Sequence, residues 1–131
     1  MQVKIDTKEK FHVITILDRQ LTANMTAELE NGLTGYLQND VKNLVLKMGA
    51  VESVDLQAAE TLIKIQQNFY ENNASFVVCE LQPAVEKFLE KEELLEVVNA
   101  TPTESEAWDI VQMEEIEREL MDDDDPLFTN D

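Results

Sequence analysis

The 131-residue chain has one cysteine, one histidine, three glycines and only ten basic residues. Each shortage removes a class of function. A lone thiol, Cys79, cannot close an internal disulfide, and its place after Phe76-Val77-Val78 reads as a buried small hydrophobe. His12 is the sole imidazole, so no Cys/His metal cluster can assemble, and nothing near it in sequence makes it a ligand or a base. The glycines, at 32, 35 and 49, form no phosphate-cradling loop, and no serine is flanked by them. Base, nucleophile and metal are therefore all in short supply, and the expectation is a non-catalytic chain with no cofactor. Long apolar runs are missing too; none approaches the roughly 20 residues of a membrane span. The opening Met1-Gln-Val-Lys-Ile-Asp6 lacks the basic-then-apolar layout of a signal peptide. These absences predict a cytoplasmic protein with no direct membrane insertion.

Positive charge is the scarcest commodity. Against ten basic residues stand 28 acidic ones, a net charge of −18. Twelve of the acids but only one basic residue, Arg118, fall within residues 104–131. Such a surface repels nucleic acid and anionic lipid; its natural complement is a basic protein surface.

What the sequence does hold is an alternation of strand and helix patterns. Val3-Lys-Ile5 and Phe11 to Leu17 predict two strands joined by a polar turn over 6–10, with His12 a half-exposed strand residue. Thr22 or Asn24 is placed to cap a helix with the stripe Met25, Leu29, Leu33 and Leu37, in which Gly32 and Gly35 would allow close approach to a sheet. Leu44-Val45-Leu46 predicts a short buried strand. From Asp55 the period becomes helical, with Leu56, Ala59, Leu62, Ile63 and Phe69 along one face. Ser75 to Glu80 predicts another buried strand. Pro83 suits the first turn of a helix with Val85, Phe88 and Leu89 inward. Leu94 to Val98 could form a last strand, and Thr101-Pro-Thr-Glu104 reads as a capping signature for a final helix with the stripe Ala107, Ile110, Val111 and Leu120. Helices between strands imply a mixed sheet with parallel crossovers: an α/β fold of four to five strands flanked by about four helices.

The expected organisation is one domain over residues 1–121, followed by an acidic tail, 122–131. Asp122 to Asp125 lack the spacing and glycine of a calcium loop. Pro126-Leu127-Phe128 is an apolar cluster suited to docking, on this chain or on a partner.

The stretch that organises the rest is 44–62, where a buried strand runs through a tight turn into a helix. In sheets of this kind ligands and partners meet the protein at that end. Val45, Leu46, Val51, Val54 and Asp55 in this stretch, a cap-type residue after Leu21, the strand-Gln-Pro-helix of 76–89 and the Thr-Pro-Thr-Glu leading to Ala107 together resemble the STAS domain. That fold is shared by bacterial anti-sigma factor antagonists and the cytoplasmic tails of sulfate transporters, and the resemblance covers residues 2 to 112.

The resemblance implies a STAS-like mixed sheet and a regulatory role in binding protein. In the antagonists the serine after the aspartate is phosphorylated by the anti-sigma partner, a serine kinase, and the phosphate breaks the complex. Here that position is Leu56, which offers no oxygen. Lys47 and Thr22 stand where the family carries acidic residues, and Ala58 stands where the turn has glycine. Ser53 and Thr61 are the nearest hydroxyls, each with an ordinary reading as a turn and a helix-surface residue. Asp55 reads as an N-cap, alone or with a partner contact besides. The candidate partner-binding residues are Thr22, Ser53, Val54, Asp55, Leu56, Gln57 and Ala58. The implied partner is an anti-sigma factor or serine kinase-like protein, or else a component of a membrane transporter.

Overall fold

A computed structural model describes residues 1–122; the segment 123–131, with Pro126-Leu127-Phe128, lies outside the described residues. The strands are β1 (Val3–Thr7), β2 (His12–Ile16), β3 (Gln20–Leu21), β4 (Leu44–Lys47), β5 (Ser53–Val54), β6 (Phe76–Cys79) and β7 (Ala100–Thr101). The helices are α1 (Thr26–Thr34), α2 (Leu56–Glu71), α3 (Pro83–Lys91) and α4 (Glu104–Asp122). One sheet runs β1-β2-β4-β6-β7, with β1 antiparallel to β2 and the remaining pairs parallel. A second, two-stranded sheet pairs β3 with β5 in parallel. The α/β architecture expected from the alternation is the one found.

The strands at the sheet's centre are apolar on both faces because both are covered. Side chains one residue apart point to opposite sides. Ile14, Ile16, Leu44, Leu46, Phe76 and Val78 meet α1, α2 and α3 through Leu29, Leu33, Leu62, Ile65, Phe69, Val85 and Leu89. Val13, Val45, Val77 and Cys79 meet α4 through Ala107 and Val111, and the Trp108 ring stacks on Phe11 at 4.7 Å. Burial pushes the Cys79 thiol up to about 12, so it stays protonated and behaves as the small hydrophobe expected.

Several local expectations need correcting. His12 is buried, not half-exposed: Nε2–H donates to the Val41 carbonyl at 2.9 Å and Nδ1 lies 3.0 Å from the Thr7 hydroxyl. Gly32 and Gly35 are exposed with open space around them, so neither serves a close approach. Met25 and Leu37 lie in 3-10 turns flanking α1 and are only partly buried. On α2, Leu56 is 43% exposed and Ile63 is partly buried, while Ala58 and Ile65 complete the inner face. On α4, Leu120 points outward.

Leu94 to Val98 is not a strand. The chain turns there, because Glu93 adopts φ 60° and the Leu94 N–H returns to the Leu89 carbonyl, closing α3 in a Schellman motif. The last strand is β7, paired with Val78 and Cys79. The capping signature is displaced by two residues: Thr103, not Thr101, accepts the Glu106 N–H at 3.1 Å, and the Glu106 carboxylate returns to the Thr103 hydroxyl.

A glutamate in the left-handed region is costly where glycine is free. Replacing Glu93 by glycine should therefore raise the unfolding free energy by about 1 kcal/mol. Urea titration of the two proteins checks this; an unchanged or lower midpoint contradicts it.

At the sheet end where β4 and β6 begin, α4 is bolted down by polar groups. Asn43 is buried; its Oδ1 accepts from Ser75 N at 2.8 Å and Arg118 Nη2 at 3.4 Å. Its Nδ2 donates to the Lys10 carbonyl at 3.1 Å and to Glu115 at 2.9 Å. The buried Ser75 hydroxyl donates to Glu114 at 2.6 Å and accepts from Arg118 at 3.1 Å. Among the described residues no buried side-chain polar atom is left without a partner.

Candidate functional site

The opposite end of the sheet holds the turn singled out in the sequence. Met48 N–H donates to the Cys79 carbonyl, and Val51 N–H closes a turn onto Met48. The chain is then laced to the segment after β2: Glu52 N–H donates to Arg19 O at 2.7 Å and Asp55 N–H to Leu21 O at 3.0 Å. With the β3–β5 pairing, these bonds bring two chain segments side by side, each entering a helical turn immediately afterwards.

Asp55 joins them. Its Oδ1 accepts the Ala58 N–H at 2.9 Å, capping α2 at its third position. Its Oδ2 accepts the Ala23 N–H at 2.7 Å, at the 3-10 turn leading into α1. One carboxylate thus satisfies orphan donors from two helical N-termini, where negative charge is favoured at both. The local reading of Asp55 as a cap is correct but incomplete. Thr22 carries no side-chain cap bond and Asn24 is exposed; the cap expected from either is supplied across the chain by Asp55.

The structure brings the seven candidate residues together at this turn. Val54 and Ala58 are buried beneath it, Thr22 is half-buried, and Ser53, Asp55, Leu56 and Gln57 are exposed. Leu56 is the first residue of α2, directly after the Asp55 cap, and is partly open to solvent. Ser53 is exposed on β5. Thr61 sits a turn and a half further along α2, about 7 Å of rise past Leu56, and its hydroxyl donates to the Gln57 carbonyl at 2.8 Å.

Beside the turn, Lys47 ends β4 between Glu104 at 3.3 Å and Glu80 at 3.5 Å. The hydrogen bond to Glu104, followed by the charge of Glu80, raises its pKa above the ordinary lysine value. Glu80 holds this position at φ 62°, and a β-carbon at Gly49 would lie 3.0 Å from its carboxylate, so a larger residue at 49 would push that side chain aside. Sequence reasoning missed this trio. Lys47 is separated from Glu80 and Glu104 by dozens of residues, and only the parallel crossovers bring them together. Among the described residues, no group of acidic, Cys and His side chains is arranged to hold a metal ion, and no helix is long and apolar enough to cross a membrane.

Comparison with known proteins agrees with this fold. A comparison with curated proteins finds no match in sequence. Among solved structures, an anti-sigma factor antagonist from Mycobacterium paratuberculosis aligns with a TM-score of 0.72 and 16% identity, over 85% of this chain and 93% of that one. RsbS from Moorella thermoacetica aligns with a TM-score of 0.70 and 21% identity, over 86% and 97%. The murine Solute Carrier 26 family member A9 anion transporter aligns with a TM-score of 0.65 and 15% identity, over 79% of this chain and 18% of the transporter. At such identities the likeness is one of fold. The family model described as the STAS domain matches residues 2–107, most of the chain, and on that match the chain belongs to the STAS domain family.

Proposed function

We propose that this chain is a non-catalytic, cytoplasmic regulatory module that binds a protein partner as an anti-sigma factor antagonist does, and that phosphorylation at position 56 does not release it. The surface is the β5–α2 turn, Ser53 to Ala58, with Thr22 beside it. The observation that carries the reading is Leu56: an exposed apolar side chain on a turn pinned from both sides by Asp55. Leucine has no oxygen to accept a phosphoryl group, so no phosphoserine charge can develop there to repel a partner. An apolar group held out by a rigid turn is instead a contact whose burial favours binding.

The test uses an anti-sigma factor of the serine-kinase class from the same cell, with ATP. The expected results are a complex that persists and no phosphate on residues 53–58. Leu56→Glu should weaken that complex about 100-fold, because a charge would be buried without a partner. Stoichiometric phosphate on Ser53, or an unaltered affinity in the Leu56→Glu protein, contradicts the reading.

A second reading rests on the likeness to the transporter structure: an accessory subunit on the cytoplasmic face of a membrane transport complex. Co-purification with a permease from detergent-solubilised membranes, and failure to bind any such kinase, would favour it.

A further inference from the structure

Helix α4 carries two apolar seams. The inner one, Ala107 and Val111, packs on the sheet and passes into the polar anchors Glu114 and Arg118. On the far side, Met113, Ile116 and Leu120 are 56, 56 and 60% exposed. At 100° per residue these three fall on one stripe, roughly opposite the line through Ala107, Val111 and Arg118. Folding has no use for this stripe, since the sheet lies on the other side. Among the described residues, no other helix exposes large apolar side chains on successive turns.

Charge decides what can cover it. Glu117 and Glu119 flank the stripe and Asp109 stands at its head. Arg118, the one basic residue in 104–131, is turned inward onto Ser75 and Asn43. Two copies packed α4 against α4 would set glutamates against glutamates, with −18 on each chain opposing the approach. Residues 123–131 carry four aspartates and no basic residue, so the same repulsion works against cover from within the chain.

We infer that the stripe Met113-Ile116-Leu120 is a second docking surface, which enters an apolar groove rimmed by lysine or arginine on another protein. The mode is that of an amphipathic helix laid in a groove, with the apolar residues as anchors and the flanking acids setting partner choice. It lies across the sheet from the α2 turn, so the two surfaces can be occupied together.

The probe is a helical peptide of about 21 residues with leucine at a and d and lysine at e and g of each heptad. Its control is a scrambled peptide of the same composition. With the full-length, 15N-labelled protein, the heptad peptide should shift amide signals of residues 109–121, and Ile116→Ser should weaken binding at least 10-fold. Because Ile116 is exposed, that variant should melt within about 2 °C of the parent. Three results would overturn the inference. One is equal binding of the scrambled peptide, which reduces the contact to bulk charge. Another is a dimer in sedimentation that Ile116→Ser abolishes, which makes a second copy the occupant. The last is binding seen only after removal of residues 123–131, which makes the chain its own cover. None of these outcomes depends on the α2 turn, so Leu56→Glu should bind the peptide normally.

Discussion

Replacing Asn43 with alanine should lower the unfolding free energy by about 3 kcal/mol. The side chain is buried and makes four polar contacts at once, to Ser75, Lys10, Glu115 and Arg118. Glu115 and Arg118 can turn partly to water. The Ser75 N–H cannot, because its residue is buried beneath α4, and an unsatisfied buried donor is the larger part of the cost. Since Ser75, Glu114 and Arg118 hold α4 to the sheet through the same network, the Trp108 stack on Phe11 should loosen with it. Urea unfolding and Trp108 emission measure the two effects. A loss below about 1 kcal/mol would mean that water replaces the carboxamide without strain.

The second large effect is at Asp55. Alanine there should cost about 2 kcal/mol, since the Ala58 and Ala23 N–H groups both lose their acceptor. Asparagine separates a double cap from a single one. At an ordinary N-cap asparagine serves about as well as aspartate. Here its amide nitrogen would confront the second N–H, donor against donor, so Asp55→Asn should fall nearer to alanine than to the parent. If Asp55→Asn matches the parent in denaturant, the carboxylate is working on one helix only. If the turn binds a partner as proposed, the same variants should also weaken that binding, because β5 and α2 lose the anchor that fixes Leu56.

How much of this was legible beforehand depends on how local each cause is. Leu44-Val45-Leu46 and Phe76-Val77-Val78 are short apolar runs bounded by polar turns, and that suffices to mark buried strands. Asp55, standing where the helical period begins, marks a cap. Its bond to Ala23, 32 residues away, leaves no trace in a local window, and neither do the two-residue strands β3 and β5 that bring the segments together. His12 looked ordinary because its partners, Thr7 and Val41, come from two other segments. Leu94 to Val98 read as a strand because periodicity sees side chains and not the left-handed Glu93 that turns the chain. Leu56 shows the limit most clearly: it keeps the spacing of the α2 stripe, yet in the first turn it is left 43% exposed.

The unequal covering of the sheet has a consequence during synthesis. Everything that packs on the α1–α3 face, including β7 at the margin, precedes residue 104 in the chain. Among the described residues the other face is covered by α4, which follows all seven strands in the chain. On the ribosome, Phe11, Val13, Val45 and Val77 therefore stay bare until the residues of α4 have left the exit tunnel. For that interval the nascent polypeptide presents an oily plane to any chaperone waiting at the tunnel mouth.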